Sequence, residues 1–288
     1  LQRLKHAFRF IRTSLKLAFT TPELMAPLLL LLLGGLGVLL LAALPIALTV
    51  GLIGPGTLGL LLTGFLSALG LASLHIWGEM VALQISAAFS EAIQKDKAPE
   101  KAQHPIKTHW KDVLVLSLGL PLLQISNGIR EIFAKSPPPG ADWREIHHLL
   151  VPLISLENRD LKDAIKRLQG ILDEKLLRFH PRVVQVDLVA QAFILTLTAL
   201  GLGLGFISGL AIAAPLAASP WRRVLGAAIG ALVAGLFTLS GLALGKTTRT
   251  CYHTALYEWV HNVENARASG DAGRAHPPEI LRDILSKK

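Results

Sequence analysis

The side chains with chemistry to offer lie mostly at the ends of long apolar stretches. His75 and Glu79 are four residues apart, so one helical face carries both near a membrane boundary. Ionisable groups at that depth are candidates for function. Two readings stand. In one, His75 is a ligand for a metal, haem or pigment, and the chain is a cofactor-bearing subunit. In the other, both groups lie at headgroup level, or pair with Lys246 or Arg249 at the matching depth of the last apolar stretch. The second is adopted, and no cofactor is expected. His147 and His148 stand near Asp142 and Glu145, but their spacing matches no zinc site, so no metal is expected. His253 and His261 are eight apart with Glu258 between them. That spacing makes no tight helical chelate and reads as a solvated helix face. Asp187 reads as an acid favourable to the N-terminal dipole of the helix it opens. The chain has no HExxH, GxSxG, P-loop or cysteine pair. Cys251 stands alone, so no internal disulfide forms. No catalytic residue and no enzymatic activity are expected.

The elements that must position these groups are set by two apolar blocks, Leu24–Gly78 and Val186–Gly245. A bilayer's hydrocarbon core is about 30 Å thick and takes roughly 20 apolar residues per helix. Each block holds two such stretches. The first span is expected over 23–50, with Pro22 in its first turn and Pro45 kinking it or ending it early. Gly54-Pro55-Gly56 marks an uncharged turn. The second span starts near Leu58 and continues as an amphipathic helix through Ile93. The third lies within 186–218, ends at Ser219-Pro220, and is long enough to tilt or project. The fourth runs over 224–245 and continues past Tyr252, Leu256, Trp259 and Val263. Leu1 in place of Met reads as a processed or truncated start. The first apolar run exceeds a signal-peptide core and reads as a retained span.

Between the blocks the chain is polar. Lys95–Pro105 reads as a loop, Trp110–Phe133 as a short re-entrant or interfacial helix, and Pro137–Gly140 as a rigid loop. Leu161–Phe179 reads as an amphipathic helix, with Leu161, Ile165, Leu168, Leu172 and Leu176 on one face and Asn158 or Asp160 as cap. Pro278–Leu285 closes a Gly-, Ala- and Pro-rich tail as a short helix. The parts are therefore a basic interfacial helix (1–20), a first hairpin with its extension (21–94), a cytoplasmic-side helical region (95–184), a second hairpin (185–265) and a tail (266–288).

Charge places these parts. The net charge is +9, and Arg3, Lys5, Arg9, Arg12 and Lys16 are accompanied by no acid, whereas Glu79–Asp187 holds 15 basic and 14 acidic residues. Leu4, Phe8, Ile11, Leu15 and Ala18 make one stripe of the first helix, and the five cations fill much of the rest. A basic excess beside a span favours anionic lipid headgroups over nucleic acid. The positive-inside rule puts both termini and the middle region in the cytoplasm, with Arg222 and Arg223 dissenting.

Gly201, Gly205 and Gly209 share one face of the third span, and Gly226 with Gly230, and Gly241 with Gly245, repeat the spacing on the fourth. Small residues let membrane helices approach closely, so all seven read as packing positions, against a helix of the same chain or of another subunit.

Three segments carry a resemblance: Phe10–Leu31; Val151-Pro152-Leu153-Ile154 with Glu157 and Asp163-Ala164-Ile165-Lys166-Arg167; and Thr254-Ala255-Leu256-Tyr257-Glu258-Trp259. In these the chain resembles an uncharacterised group of bacterial multi-pass membrane proteins, loosely similar to the membrane domain of some glycerophosphodiester phosphodiesterases. That group carries six spans. Here Trp110–Phe133 and Ile146–Leu156 are too short or too charged, which leaves four. The resemblance implies a bacterial inner-membrane location and transfers no site residue.

The expectation is an all-α integral membrane protein, with four spans in two hairpins and amphipathic or re-entrant helices on the cytoplasmic side. Its expected role is an accessory or scaffold subunit, with lipids and other membrane subunits as partners. The alternative is a transporter or lipid-handling protein with a site between the hairpins.

Overall fold

The computed structural model describes residues 2–53, 56–93, 109–117, 147–173, 183–213, 220–270, 277–278 and 280–281. Helices account for nearly all of these residues, and no strand occurs among them. In chain order they are α1 (Gln2–Thr20), α2 (Pro22–Leu48), α3 (Thr57–Ile93), α4 (109–117), α5 (Leu150–Leu156), α6 (Leu161–Asp173), α7 (Val183–Ala213) and α8 (Pro220–Ala268). Four of them, α2, α3, α7 and α8, are long and apolar enough to cross a membrane, as in a multi-pass membrane protein. The expected loops over 95–105 and 137–140, most of the 110–133 segment, Gly54-Pro55, residue 219 and most of the tail lie outside the described residues. So do Asp142, Glu145 and the side chains of Arg3, Lys5 and His147.

Local chemistry explains the helix ends. Pro22 opens α2, where its missing N–H is no loss, and the carbonyl of Thr21 receives Met25 N–H at 3.1 Å. α2 continues through Pro45 and then widens into a π turn over Thr49–Ile53, with the Thr49 hydroxyl donating to Pro45 O at 2.8 Å. Asp160 is the side chain that caps α6, accepting from Asp163 N–H at 2.8 Å. Asn158 instead turns the chain with φ of 52°. α8 is 49 residues long, about 74 Å at the rise of an α-helix. That is more than twice the thickness of a hydrocarbon core.

The chain forms two compact units, Leu29–Gly78 with Gln191–Gly245, and Leu1–Leu28 with Glu79–Ala190 and Lys246–Lys288. The first is apolar. Within it α2 runs antiparallel to α3, with Gly34 under the Trp77 ring and the Trp77 indole donating to Leu31 O at 3.3 Å. α2 also packs on α8, where Gly35 meets Leu239 and Gly235 meets Leu39. α7 pairs antiparallel with α8 through glycine. Gly205 and Gly230 approach so closely that a Cβ on either would strike the other's carbonyl oxygen. A Cβ on Gly209 would lie 3.0 Å from Gly226 O, and one on Gly201 2.9 Å from Ala234 O. Gly241 lies over Ile194 and Leu197, and Gly245 is buried. The glycine faces of α7 and α8 thus meet each other inside one chain.

The second unit has a mixed core. Phe10, Leu83, Ile85, Phe89, Leu153, Ile154, Leu168 and Leu256 are buried among Ser86, Ser90, Thr254 and charged groups. On α1 the buried positions are Phe10, Ile11, Ser14 and Ala18, continued by Thr21, Leu24 and Leu28. This corrects the expected stripe, since Phe8 is 52% exposed and Leu15 half-buried. Ser14 can occupy a core position because its hydroxyl bonds back to Phe10 O at 2.8 Å. On α6 the buried face is Ala164, Leu168 and Ile171, with Leu161 and Ile165 at its margin.

Candidate functional site

α8 is polar where a helix is usually most apolar. Residues 246–258 are buried at every position except Arg249, which is half-buried. They include Lys246, Thr247, Thr248, Thr250, His253, Thr254 and Glu258. A helix buried on all sides normally carries apolar residues throughout. Here each buried charge must find a partner, because an isolated ion out of water is far too costly.

The partners come from three directions. Lys246 donates to the Glu79 carboxylate of α3, with both side chains about 5% exposed. On the same side the Ser86 and Thr254 hydroxyls bond at 2.8 Å, and the Ser90 hydroxyl donates to Glu258. These three pairs are separated by 167, 168 and 168 residues, so α3 and α8 run parallel in constant register. From α7, Asp187 receives two groups one turn apart on α8. Arg249 Nε lies 3.0 Å from Asp187 Oδ1, and the His253 Nε2–H donates to Asp187 Oδ2 at 3.1 Å. From the segment before α6, Glu157 accepts the Tyr257 hydroxyl at 2.9 Å and lies 3.3 Å from Arg167 Nε. Arg167 also reaches Glu264.

Glu157 lies outside the spanning helices, and its ionisation follows its neighbours. Burial pushes its carboxyl up, but the Tyr257 hydrogen bond and the Arg159 and Arg167 guanidinium groups outweigh this and hold it below the usual carboxylate range. Arg167 is held further toward its cationic form, first by the Glu264 hydrogen bond. Away from α8, His109 joins Asp112 at 3.2 Å and the Asn158 side chain at 2.8 Å.

Aromatic rings close the cluster. Phe10 meets Tyr252 edge-on with centroids 5.2 Å apart, and His148 packs at 5.2 Å on His253. Tyr257 stacks with His261 at 6.2 Å. Among the described residues, Thr247 Oγ1, Tyr252 Oη and His253 Nδ1 are buried and meet no hydrogen-bond partner. Among the described residues no group of three His, Cys, Asp or Glu side chains is placed to hold a metal ion. Cys251 is buried.

Glu79 pairs with Lys246, the arrangement open in the sequence, while His75 is half-buried on α3. His253 corrects its expectation: it is 1% exposed and bound to Asp187, not on a solvated face. Asp187 is an ion-pair centre and not only a dipole charge. A signal for this lay in the sequence, since Arg249 and His253 stand four apart beyond the fourth span and an acid opens the third. His261 is exposed, as expected of a solvated position. Arg9, Arg12 and Lys16 are exposed on α1.

Comparison with family models, with curated proteins and with solved structures finds no match.

Proposed function

We propose that this chain is a non-enzymatic accessory or scaffold subunit of a larger assembly in a bacterial inner membrane, with both termini in the cytoplasm. One observation carries the reading. Every ion pair between distant parts of the described chain ends on α8: Glu79 with Lys246, Asp187 with Arg249 and His253, Arg167 with Glu264. Buried pairs contribute little net stability, and their best-attested use is to fix register. Charges that lock three other helical segments to one spine make a rigid frame, which is what a subunit that positions others requires. The likeness of the 151–167 and 254–259 segments to the multi-pass membrane group belongs to the same reading.

Purification of the tagged chain from native membranes in mild detergent, with cross-linking before lysis, tests it. Stoichiometric membrane proteins linked to the 147–173 or 246–268 segments are expected. A chain that purifies alone contradicts it.

A second reading, a transporter or lipid-handling protein, draws support from the unpartnered Thr247, Tyr252 and His253 atoms, which offer polar contacts inside the protein. A lipid or solute retained through purification without protein partners would favour it.

A further inference from the structure

We propose that the exposed face of α1 binds the anionic headgroups of the bilayer that α2 enters, with α1 laid along that surface instead of standing out from it. The inference rests on α2 crossing a bilayer and is independent of the accessory role.

The two faces of α1 carry it first. Phe10, Ile11, Ser14 and Ala18 are buried. At 100° per residue, Phe8, Phe19, Arg12, Lys16 and Arg9 fall together on the far side within about a third of the circumference. Phe8 and Phe19 are 52% and 58% exposed, and the three cations are exposed beside them. Residues 2–20 contain no acid. Two aromatic rings along one edge of a cationic face suit a headgroup layer, where rings reach the acyl boundary and cations meet phosphate.

Chain geometry supplies the second argument. The apolar run of α2 begins at Leu24, and that of α8 ends at Gly245. Phe19 is five residues from Leu24, about 8 Å of helix, so it sits at the boundary whatever the tilt of α1. Phe10, on the opposite face of α1, is held on the protein's own core with its ring 5.2 Å from Tyr252, so the cationic face is the one turned away from that core.

The test uses the single, buried Cys251. In a Cys251→Ala background, spin labels are attached at Phe8→Cys, Thr13→Cys, Phe19→Cys and Leu33→Cys. Oxygen and nickel-chelate accessibilities are read in nanodiscs of phosphatidylethanolamine with phosphatidylglycerol, or of phosphatidylcholine alone. In the anionic discs the oxygen-to-nickel ratio at 8 and 19 should exceed that at 13 several-fold. In phosphatidylcholine, or with Arg12→Gln and Lys16→Gln together, the ratio at 8 should fall to that at 13. A residue-8 label as aqueous as residue 13 in anionic discs overturns the proposal, as does one indifferent to both lipid charge and the two cations. A label at 33 that reads as aqueous would instead overturn the spanning of α2.

Discussion

The two units of this chain are built for two solvents. In the unit of residues 29–78 and 191–245, large apolar side chains such as Leu33, Leu41, Leu44, Leu61, Phe65, Leu202 and Phe206 point outward. Glycines hold the inside, and helices meet backbone to backbone at Gly205 and Gly230. Lipid tails give no hydrophobic drive for helices to associate, so close van der Waals packing must serve. In the other unit Leu83, Phe89, Leu153, Leu168 and Leu256 are inside, and Lys162, Asp163 and Lys166 are outside. Burying each such apolar side chain from water contributes about 1.5–3 kcal/mol. That drive lets the second core tolerate polar groups, provided they are paired. α3, α7 and α8 each contribute residues to both units, so one helix obeys both rules along its length.

The comparison predicts unequal responses to substitution. The largest concerns the Lys246–Glu79 pair. Lys246→Met takes the ammonium from the buried Glu79 carboxylate and should destabilise by about 3–5 kcal/mol. Adding Glu79→Met should recover most of this, because two packed apolar side chains replace the pair. Thermal unfolding in detergent reads both, and a harmless single substitution would break the claim that each buried charge needs its partner. Next is the glycine seam. Gly205→Leu drives a side chain into the Gly230 carbonyl and should cost about 1–3 kcal/mol. Gly203→Leu, where a Cβ meets nothing within 4 Å, should shift stability by less than about 0.5 kcal/mol. Equal effects at 203 and 205 would remove the distinction between lipid-facing and packed glycines.

Smaller effects than at the ion pair belong to Glu157. Tyr257→Phe removes one hydrogen bond to it and should cost about 1 kcal/mol. The folded state holds this carboxyl below its unfolded value. Its contribution is therefore complete above about pH 4.5 and lost as pH falls through the folded value. Glu157→Gln should flatten that part of the acid unfolding curve, and an unchanged curve would show that the carboxylate contributes nothing there.

Much of this architecture was legible because helix periodicity and span length are one-dimensional signals. The spans expected over 23–50 and from 58 on to 93 are α2 and α3, and the continuation of the fourth span past Gly245 is the lower half of α8. The seven packing glycines could be named, but not their partners, since spacing fixes a face and not its neighbour. The buried face of α1 departs from the expected stripe in that it includes Ser14, whose hydroxyl is bonded to its own helix and can enter a core. The Asp187 cluster was missed for a related reason. His253 beside Glu258 looks solvated in sequence, and only the packing of α7 on α8 brings an acid 66 residues away to its ring.

The central claim is that α3 crosses the bilayer once and that α6 stays on the side where α3 ends. Gly56 and Gly170 are exposed glycines where a new side chain meets nothing within 4 Å. In the Cys251→Ala background, Gly56→Cys and Gly170→Cys are treated in bacterial cells with a membrane-impermeant maleimide before and after lysis. Gly56→Cys should react from outside and Gly170→Cys only after lysis. Labelling of both from the same side would contradict the account.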